Sequence, residues 1–285
     1  MMRGQKNVAI AVRRPNGELD VDTQPLPSIY KGCLRQMPFI RGVIILIETL
    51  VLGIGALLHS AQIAAANGSE AEAELSPAML WGMIAVGVAF AVALFFLAPL
   101  FLTRYLFDPY ISSALASNLI EGCLRIGIFI VYLKLISLIP DIKTVFAYHG
   151  AEHKVVNAYE AGTPLELESV RRYSTAHARC GTSFLLIVLV IAIVVFAFLG
   201  RPDLWLSILS RIVLIPVIAA IGYEIVRFSA AHSHNILVRT LLTPGLALQA
   251  MTTKEPKDSQ IETALAALKK VIEADEIATP VARND

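Results

Sequence analysis

Apolar residues occur in long uninterrupted blocks, and short polar segments separate them. Soluble strands and helices show alternating or one-sided apolar patterns instead. A helix needs about 20 apolar residues to cross a bilayer, and four blocks come close to this length. They cover residues 39–59, 79–103, 182–200 and 205–228. The pattern predicts four transmembrane helices.

A fifth apolar block, residues 119–139, contains Glu121, Arg125 and Lys134. Its longest uncharged run is too short to cross a bilayer, so we predict a re-entrant or interfacial helix here. Glu121 and Arg125 are four residues apart and are expected to pair on one helix face. Glu48, in the first block, needs a partner inside the bundle. Arg211, in the fourth, is expected to extend outward to the membrane surface.

Two polar segments at the ends of the chain carry their own structural signals. Residues 8–13 and 19–23 are β-prone and flank Asn16-Gly17, which predicts a cytoplasmic β-hairpin. Near the other end, Ser259 to Glu262 form a capping box that opens an amphipathic helix. Its apolar stripe comprises Ile261, Ala264, Leu265, Leu268 and Ile272.

The expected fold is therefore an all-α polytopic membrane protein with a small N-terminal β-hairpin, one re-entrant or interfacial helix and a C-terminal amphipathic helix. Five regions follow from this pattern. They are the hairpin region 1–38, the first membrane region 39–139, a histidine-rich segment 140–181, a membrane-embedded helical hairpin 182–228 and a tail 229–285.

Composition agrees with a membrane setting, because 56% of residues are hydrophobic and only 16% are charged. Lysine and arginine concentrate before the first block and in the histidine-rich segment, whereas residues 60–77 contain neither. The positive-inside rule then places both termini and the histidine-rich segment in the cytoplasm, and residues 60–77 outside. We expect a multi-pass protein of the bacterial inner membrane, with the lipid bilayer and other membrane proteins as partners.

Net charge and cysteine content exclude two further classes. The net charge is +1 and the basic residues flank the spans, so nothing indicates nucleic-acid binding. Cys33, Cys123 and Cys180 are widely spaced, and all three fall on or near the inferred cytoplasmic side. A disulfide framework is therefore not expected.

The richest candidate chemistry lies in the histidine-rich segment, where His149, Glu152 and His153 follow one another at helical spacing. Two histidines four residues apart lie on the same helix face and can share a metal ion. The order H-x-x-E-H is the inverted form of the zinc-peptidase helix, in which the glutamate acts as general base.

Two metal sites can be built from these residues, with zinc or another divalent metal. In the structural version, His149, His153, His177 and Cys180 complete a tetrahedral shell. In the catalytic version, His149 and His153 share the ion with Glu224 or His177, and Glu152 takes a proton from water. The simpler alternative is a solvated helix that carries these side chains on its polar face.

Several longer motifs resemble those of the YqhQ-like bacterial membrane proteins. The motifs are Tyr148-His149-Gly150-Ala151-Glu152-His153-Lys154, His177-x-Arg179-Cys180-Gly181-Thr182-Ser183-Phe184-Leu185, Gly222-Tyr223-Glu224 and Pro244-Gly245-Leu246-x-Leu248-Gln249-x-Met251-Thr252-Thr253-x-Glu255-Pro256. The resemblance covers nearly the whole chain. It implies a metal-dependent enzyme, but it assigns no reaction.

The sequence is compatible with two functions. The first is a membrane-embedded zinc-dependent hydrolase that cleaves a peptide or another acyl bond at the cytoplasmic membrane face, with Glu152 as catalytic base. The second is a non-enzymatic factor for insertion, assembly or quality control of membrane proteins, in which a structural zinc stabilises a docking platform. The sequence specifies no oligomeric state.

Overall fold

A computed structural model describes residues 1–14, 16–27, 37–65, 77–177, 180–232 and 235–277. The chain folds mostly into helices, with a small N-terminal sheet. The strands are β1 (Met2–Arg3), β2 (Asn7–Arg13) and β3 (Leu19–Pro25). The α-helices are α1 (Ile40–Ala65), α2 (Pro77–Val92), α3 (Ala98–Leu102), α4 (Ala114–Ile136), α5 (Pro140–Glu160), α6 (Leu167–Val170), α7 (Gly181–Leu199), α8 (Leu204–Val213), α9 (Ile215–Ala231), α10 (Ile236–Thr252) and α11 (Asp258–Ile277).

The predicted hairpin is present as β2 and β3, which pair antiparallel from Asn7 with Pro25 to Arg13 with Leu19. Gly17 in the connecting turn has φ +89°, a conformation that glycine adopts without steric cost. The short strand β1 adds a third, antiparallel member to the sheet. The sequence pattern did not predict this strand, because it contributes only two residues.

The sheet packs against α11, which in turn packs against α5, and together they form one unit, which we call the sheet domain (β1–β3, α5, α6 and α11). Ala9, Val155 and Ile261 lie at the centre of its hydrophobic core. The apolar stripe predicted for the C-terminal helix is confirmed, because Ile261, Ala264, Leu265 and Leu268 are buried and Ile272 packs against them. Residues from both ends of the chain therefore hold α5 in place.

A second unit, the helix bundle, is centred on α7, which packs against α4, α9 and α10. Glycines allow close approach. A Cβ atom on Gly122 would lie 2.4 Å from the side chain of Ile193, and one on Gly42 would lie 2.9 Å from the backbone of Ala220. Small residues at such crossings are typical of helix packing in membranes. The helix α10 was not predicted from the sequence, and it contains Pro244.

Two helical stretches in the described part of the chain, Ile40–Ile63 and Trp81–Tyr110, are long and apolar enough to cross a membrane. Two bent pairs pass the same test together: α4 with α5, bent by 101°, and α8 with α9, bent by 44°. The apolar part of α7, Phe184–Leu199, is shorter. The chain thus has two to four candidate spans by length and composition. The block at 205–228 is a broken helix rather than a continuous one.

A buried ionic cluster joins α4 to α8. The predicted pair of Glu121 with Arg125 is confirmed, and Glu121 also accepts hydrogen bonds from Arg211 at 2.7 and 3.2 Å. The expectation that Arg211 extends to the membrane surface is wrong: the residue is only 2% exposed, because Glu121 offers it a partner inside the bundle. The ring of Phe196 lies against both guanidinium groups.

Two further polar contacts tie neighbouring helices and the sheet together. Arg125 Nε donates to the carbonyl of Phe95 at 2.9 Å. That carbonyl has no α-helical donor four residues on, because Pro99 lacks an N–H group. Glu48 of α1 is buried and pairs with Arg3 at 2.6 Å, so the sheet domain supplies a partner for it.

Candidate metal centre

Helix α5 presents the H-x-x-E-H residues on a turn that faces the start of α7. The predicted helix around these histidines is confirmed, and it extends from Pro140 to Glu160. The imidazole rings of His149 and His153 lie with their centroids 4.3 Å apart. Spacing by four residues on a helix accounts for this proximity.

Cys180 completes a group of three potential metal ligands. It lies directly before α7, and its Sγ atom is 3.3 Å from Nε2 of His149. One ligand atom from each of His149, His153 and Cys180 can be chosen so that all three lie within 4.8 Å of one another. Among the residues that the structure describes, this is the one such group of histidine, cysteine and carboxylate side chains.

Backbone carbonyls orient both imidazoles. His149 Nδ1 lies 2.9 Å from the carbonyl oxygen of Thr252, and His153 Nδ1 lies 2.5 Å from that of Thr175. A carbonyl oxygen only accepts hydrogen bonds, so each Nδ1 carries the proton and donates it. Nε2 then offers a lone pair to a metal ion when the ring is neutral, and it can donate a hydrogen bond to the Cys180 thiolate when the ring is protonated. This is the outer-shell arrangement that orients histidine ligands in metal proteins.

Neighbouring groups determine the protonation state of the Cys180 thiol. Burial raises the pKa of Cys180, but hydrogen bonds with His149, His153 and Thr182 outweigh it and lower the pKa to about 5. Burial lowers the pKa of His149, and the contacts with Cys180 and the Thr252 carbonyl raise it above its ordinary value. Cys180 is therefore a thiolate at neutral pH, which is the form that binds metal.

The donor set fits a zinc ion. Zinc takes imidazole nitrogen at about 2.0 Å and thiolate sulfur at about 2.3 Å, so tetrahedral angles separate the two donors by roughly 3.5 Å. The observed distance between His149 Nε2 and Cys180 Sγ is 3.3 Å. Three protein ligands with an open fourth position are typical of catalytic zinc.

Two predicted ligands lie outside this group. The His177 ring centroid is 5.7 Å from that of His153, and its Nε2 lies 3.4 Å from Glu160. Glu224 lies in α9 and pairs with Arg41 of α1, where its Oε1 accepts a hydrogen bond from Arg41 Nε at 2.7 Å. The structure thus engages Glu224 in a contact between helices. Arg179 lies outside the described residues.

Glu152 lies in the wall of a cavity of about 610 Å³ that also exposes His149. Its carboxylate is one-third exposed and accepts a hydrogen bond from the Met1 amino group at 2.9 Å. It does not belong to the group of three ligand atoms. This placement suits a side chain that acts on a substrate or water next to the ion.

The cavity brings α1 next to the metal group. Its walls include residues 53–60 of α1 as well as β2, α5 and α11. The charge pattern predicted that residues 60–77 lie on the opposite side of the membrane from the histidine-rich segment. Ser60 and His149 line the same space, so this part of α1 lies close to the metal group, and the side of the membrane on which residues 60–77 lie stays a prediction.

Sequence reasoning missed the supports of the site. Gly150 packs so closely that a Cβ atom there would lie 2.2 Å from the Lys254 carbonyl oxygen. Gln249 holds the backbone of His177 through hydrogen bonds at 2.8 and 3.0 Å. Gln249 and Thr252 both belong to the motif between Pro244 and Pro256, so that motif was the available signal. Every residue has a backbone carbonyl, so the contacts of the two imidazoles with carbonyl oxygens cannot be inferred from residue types.

Comparisons with known proteins agree with the resemblance noted from the motifs. Residues 37–274 match the family described as "Protein of unknown function (DUF1385)". The chain is 32% identical over 283 residues to the "Uncharacterized protein YqhQ" of Bacillus subtilis (strain 168), across 95% of this chain and 89% of that protein. No solved structure matches.

Proposed function

Because this chain belongs to the DUF1385 family of proteins of unknown function, we propose its activity from its site alone: it is a membrane-embedded zinc-dependent hydrolase. The observation that carries the proposal is the convergence of His149, His153 and Cys180, with both imidazoles oriented by backbone carbonyls. A helix with a merely solvated polar face has no need for such an arrangement, since His153 and Cys180 are buried.

Zinc bound by these three residues would supply a Lewis acid that polarises a carbonyl group and acidifies water. Glu152 then acts as general base: it accepts a proton from the attacking water and returns it to the leaving group. One water molecule is consumed, and the acyl bond to the leaving group is broken. The carboxylate is suited to this role because it faces the same cavity as His149 without belonging to the ligand group.

The cavity indicates the kind of substrate. Its walls combine the polar residues Tyr148, His149 and Glu152 with apolar residues of α1 and α11, among them Leu57 and Ala264. An apolar chain next to a scissile acyl bond matches both surfaces. A peptide segment at the membrane face is the substrate class we propose, with other acyl compounds of similar character in second place.

The location we propose is the bacterial inner membrane, crossed by four helical segments, with the sheet domain and both termini in the cytoplasm. The excess of lysine and arginine in the N-terminal and histidine-rich segments supports this orientation. It also leaves Cys180 in a compartment where thiols stay reduced.

A second candidate function rests on His177. Its ring lies next to that of His153, so a modest side-chain movement would supply a fourth ligand and close the shell. The zinc would then be structural, and the sheet domain would serve as a platform for other membrane proteins during insertion, assembly or quality control.

Two variants, Glu152→Gln and Cys180→Ser, distinguish the two functions. Each is tested for complementation in a strain from which the gene of a relative has been deleted and in which that deletion causes a phenotype. For the hydrolase, Glu152→Gln retains zinc and fold but fails to complement, since loss of a general base costs about 10²- to 10⁴-fold in rate. Glu166→Gln, which changes an exposed carboxylate at the start of α6 in the same domain, serves as the matched control. Full complementation by Glu152→Gln together with failure of Cys180→Ser would support the structural-zinc factor instead.

A further inference from the structure

A second polar site lies at the opposite end of α7 from the metal centre. It is a small pocket where the helical segment Thr103–Phe107, α4, α8 and the turn at Gly200 meet. Cys180 precedes the first residue of α7 and Gly200 follows its last, so roughly 28 Å of helix separate the two sites. The pocket is therefore independent of the proposed hydrolase chemistry.

The pocket carries an excess of positive charge. The pocket is lined by the basic residues Arg104, Arg201 and Arg211 and by the acidic residues Asp108 and Glu121. Arg125 adjoins it through its pair with Glu121. Glu121 is shared by two arginines, and Asp108 pairs with Arg201 at 2.7 Å. Arg104 donates to the carbonyl of Pro202 at 3.1 Å, and a carbonyl brings no compensating charge. Positive charge that is removed from water in this way favours an anionic partner.

Two donors in this pocket have no hydrogen-bond partner within the described ranges of the chain. One is the hydroxyl of Thr103, a residue only 2% exposed, and the other is Nε of Arg201. Buried polar groups are nearly always satisfied, so each such exception calls for a ligand. An anionic oxygen would accept hydrogen bonds from both groups.

Exposed aromatic side chains surround the same end of the bundle. Tyr105 follows Arg104, Tyr110 ends the same helical stretch, and Trp205 follows the turn at Pro202; all three are exposed. Tyrosine and tryptophan collect where the lipid headgroups begin. This setting places the pocket at the depth of lipid phosphates.

We propose that this pocket binds the phosphate group of an anionic phospholipid. The free volume inside is about 10 Å³, enough for a group the size of one water molecule. One phosphate oxygen therefore enters between Thr103 and Arg201, while the remainder of the headgroup stays at the surface near Arg104. Arginine side chains bind phosphate oxygens through charge-assisted hydrogen bonds of this kind.

The test is native mass spectrometry of the full chain in detergent, titrated with phosphatidylglycerol, phosphatidylcholine or inorganic phosphate. The wild-type protein should retain phosphatidylglycerol in preference to phosphatidylcholine. Thr103→Val, which keeps the side-chain shape, and Arg104→Gln should each weaken this binding by roughly tenfold, as expected when a charge-assisted hydrogen bond is lost. Circular dichroism of each variant establishes that the helices are intact.

Lys134→Gln is the matched control, since it removes one exposed positive charge near the other end of α4. It should leave retention of phosphatidylglycerol within about twofold of wild type, because surface charges contribute little. Equal retention of both lipids, or unchanged binding in folded Thr103→Val and Arg104→Gln, would overturn the proposal. Inorganic phosphate that competes as strongly as the lipid would also overturn it, in favour of a small-anion site.

Discussion

His149 Nε2 and Cys180 Sγ lie 3.3 Å apart, although 31 positions separate the two residues in the chain. Two different units produce this contact. His149 belongs to α5 of the sheet domain, whereas Cys180 caps α7 at the centre of the helix bundle. A metal ion at this point would join the two units, so metal binding should stabilise their arrangement as well as supply chemistry.

Gly150 should be essential for the metal centre because it has no room for a side chain. Gly150→Ala forces the new Cβ atom against the Lys254 carbonyl and moves α5 away from Thr252, which orients His149. We expect a loss of about 1–3 kcal/mol in stability, typical of overpacking, together with reduced zinc content. Thermal unfolding in detergent and metal analysis measure the two effects.

Gly127→Ala provides the comparison for this change. Gly127 also lies inside a helix, but an added Cβ atom there meets no atom within 4 Å other than the backbone of its own helix. The variant should be slightly more stable than wild type, because alanine favours helices by roughly 0.5–1 kcal/mol. Equal behaviour of the two variants would show that the contact with Lys254 does not support the site.

The thiol of Cys180 should react as a thiolate well below neutral pH once metal has been removed. In a Cys33→Ser/Cys123→Ser background treated with chelator, the rate of alkylation by iodoacetamide should stay constant as pH falls to about 6, then drop as pH passes through the Cys180 pKa of about 5. The sign follows from protonation of the thiolate in acid.

His149→Ala should reverse this behaviour. Removal of the imidazole takes away one of the hydrogen bonds that lower the pKa of Cys180, so this pKa should rise and the reaction should slow at pH 6. A wild-type rate that instead keeps rising through pH 8, as for an ordinary cysteine, would contradict the hydrogen-bonded thiolate.

Glu121 should be the most sensitive side chain of the bundle. Glu121→Gln leaves Arg125 and Arg211 buried beside a neutral partner, which should cost roughly 3–5 kcal/mol and lower the thermal midpoint in detergent. Glu262→Gln disrupts an exposed pair with Arg13 and should change little. A Glu121→Gln midpoint close to wild type would mean that the arginines have other compensation.

Local patterns in the sequence predicted the local parts of the structure. The Asn16-Gly17 turn, the apolar stripe beginning at Ile261 and the pair of Glu121 with Arg125 each depend on residues close together in the chain, and each is confirmed. Contacts across the fold were harder to predict. Nothing near Arg211 indicates that Glu121 lies beside it, so its burial could not be inferred.

The candidate site divides in the same way. The spacing of His149 and His153 predicted that their rings share a helix face, because helical geometry alone decides it. Cys180 and His177 are separated from these histidines by a turn and α6, so the sequence alone kept both as candidate ligands. In the structure, Cys180 lies within the ligand group and His177 lies beside it. Glu224 was attractive because an intramembrane carboxylate needs a partner, and Arg41 is that partner in the structure.

The most direct test of the metal centre is zinc analysis combined with X-ray absorption on protein purified without chelators. We predict a single zinc ion per chain, with one sulfur neighbour at about 2.3 Å and nitrogen neighbours at about 2.0 Å. Cys180→Ser should remove the sulfur signal, and the His149→Ala/His153→Ala double variant should contain no zinc, whereas His232→Ala, an exposed histidine, should bind it normally. Metal-free wild-type protein, or stoichiometric zinc in the double variant, would contradict a metal centre at these residues.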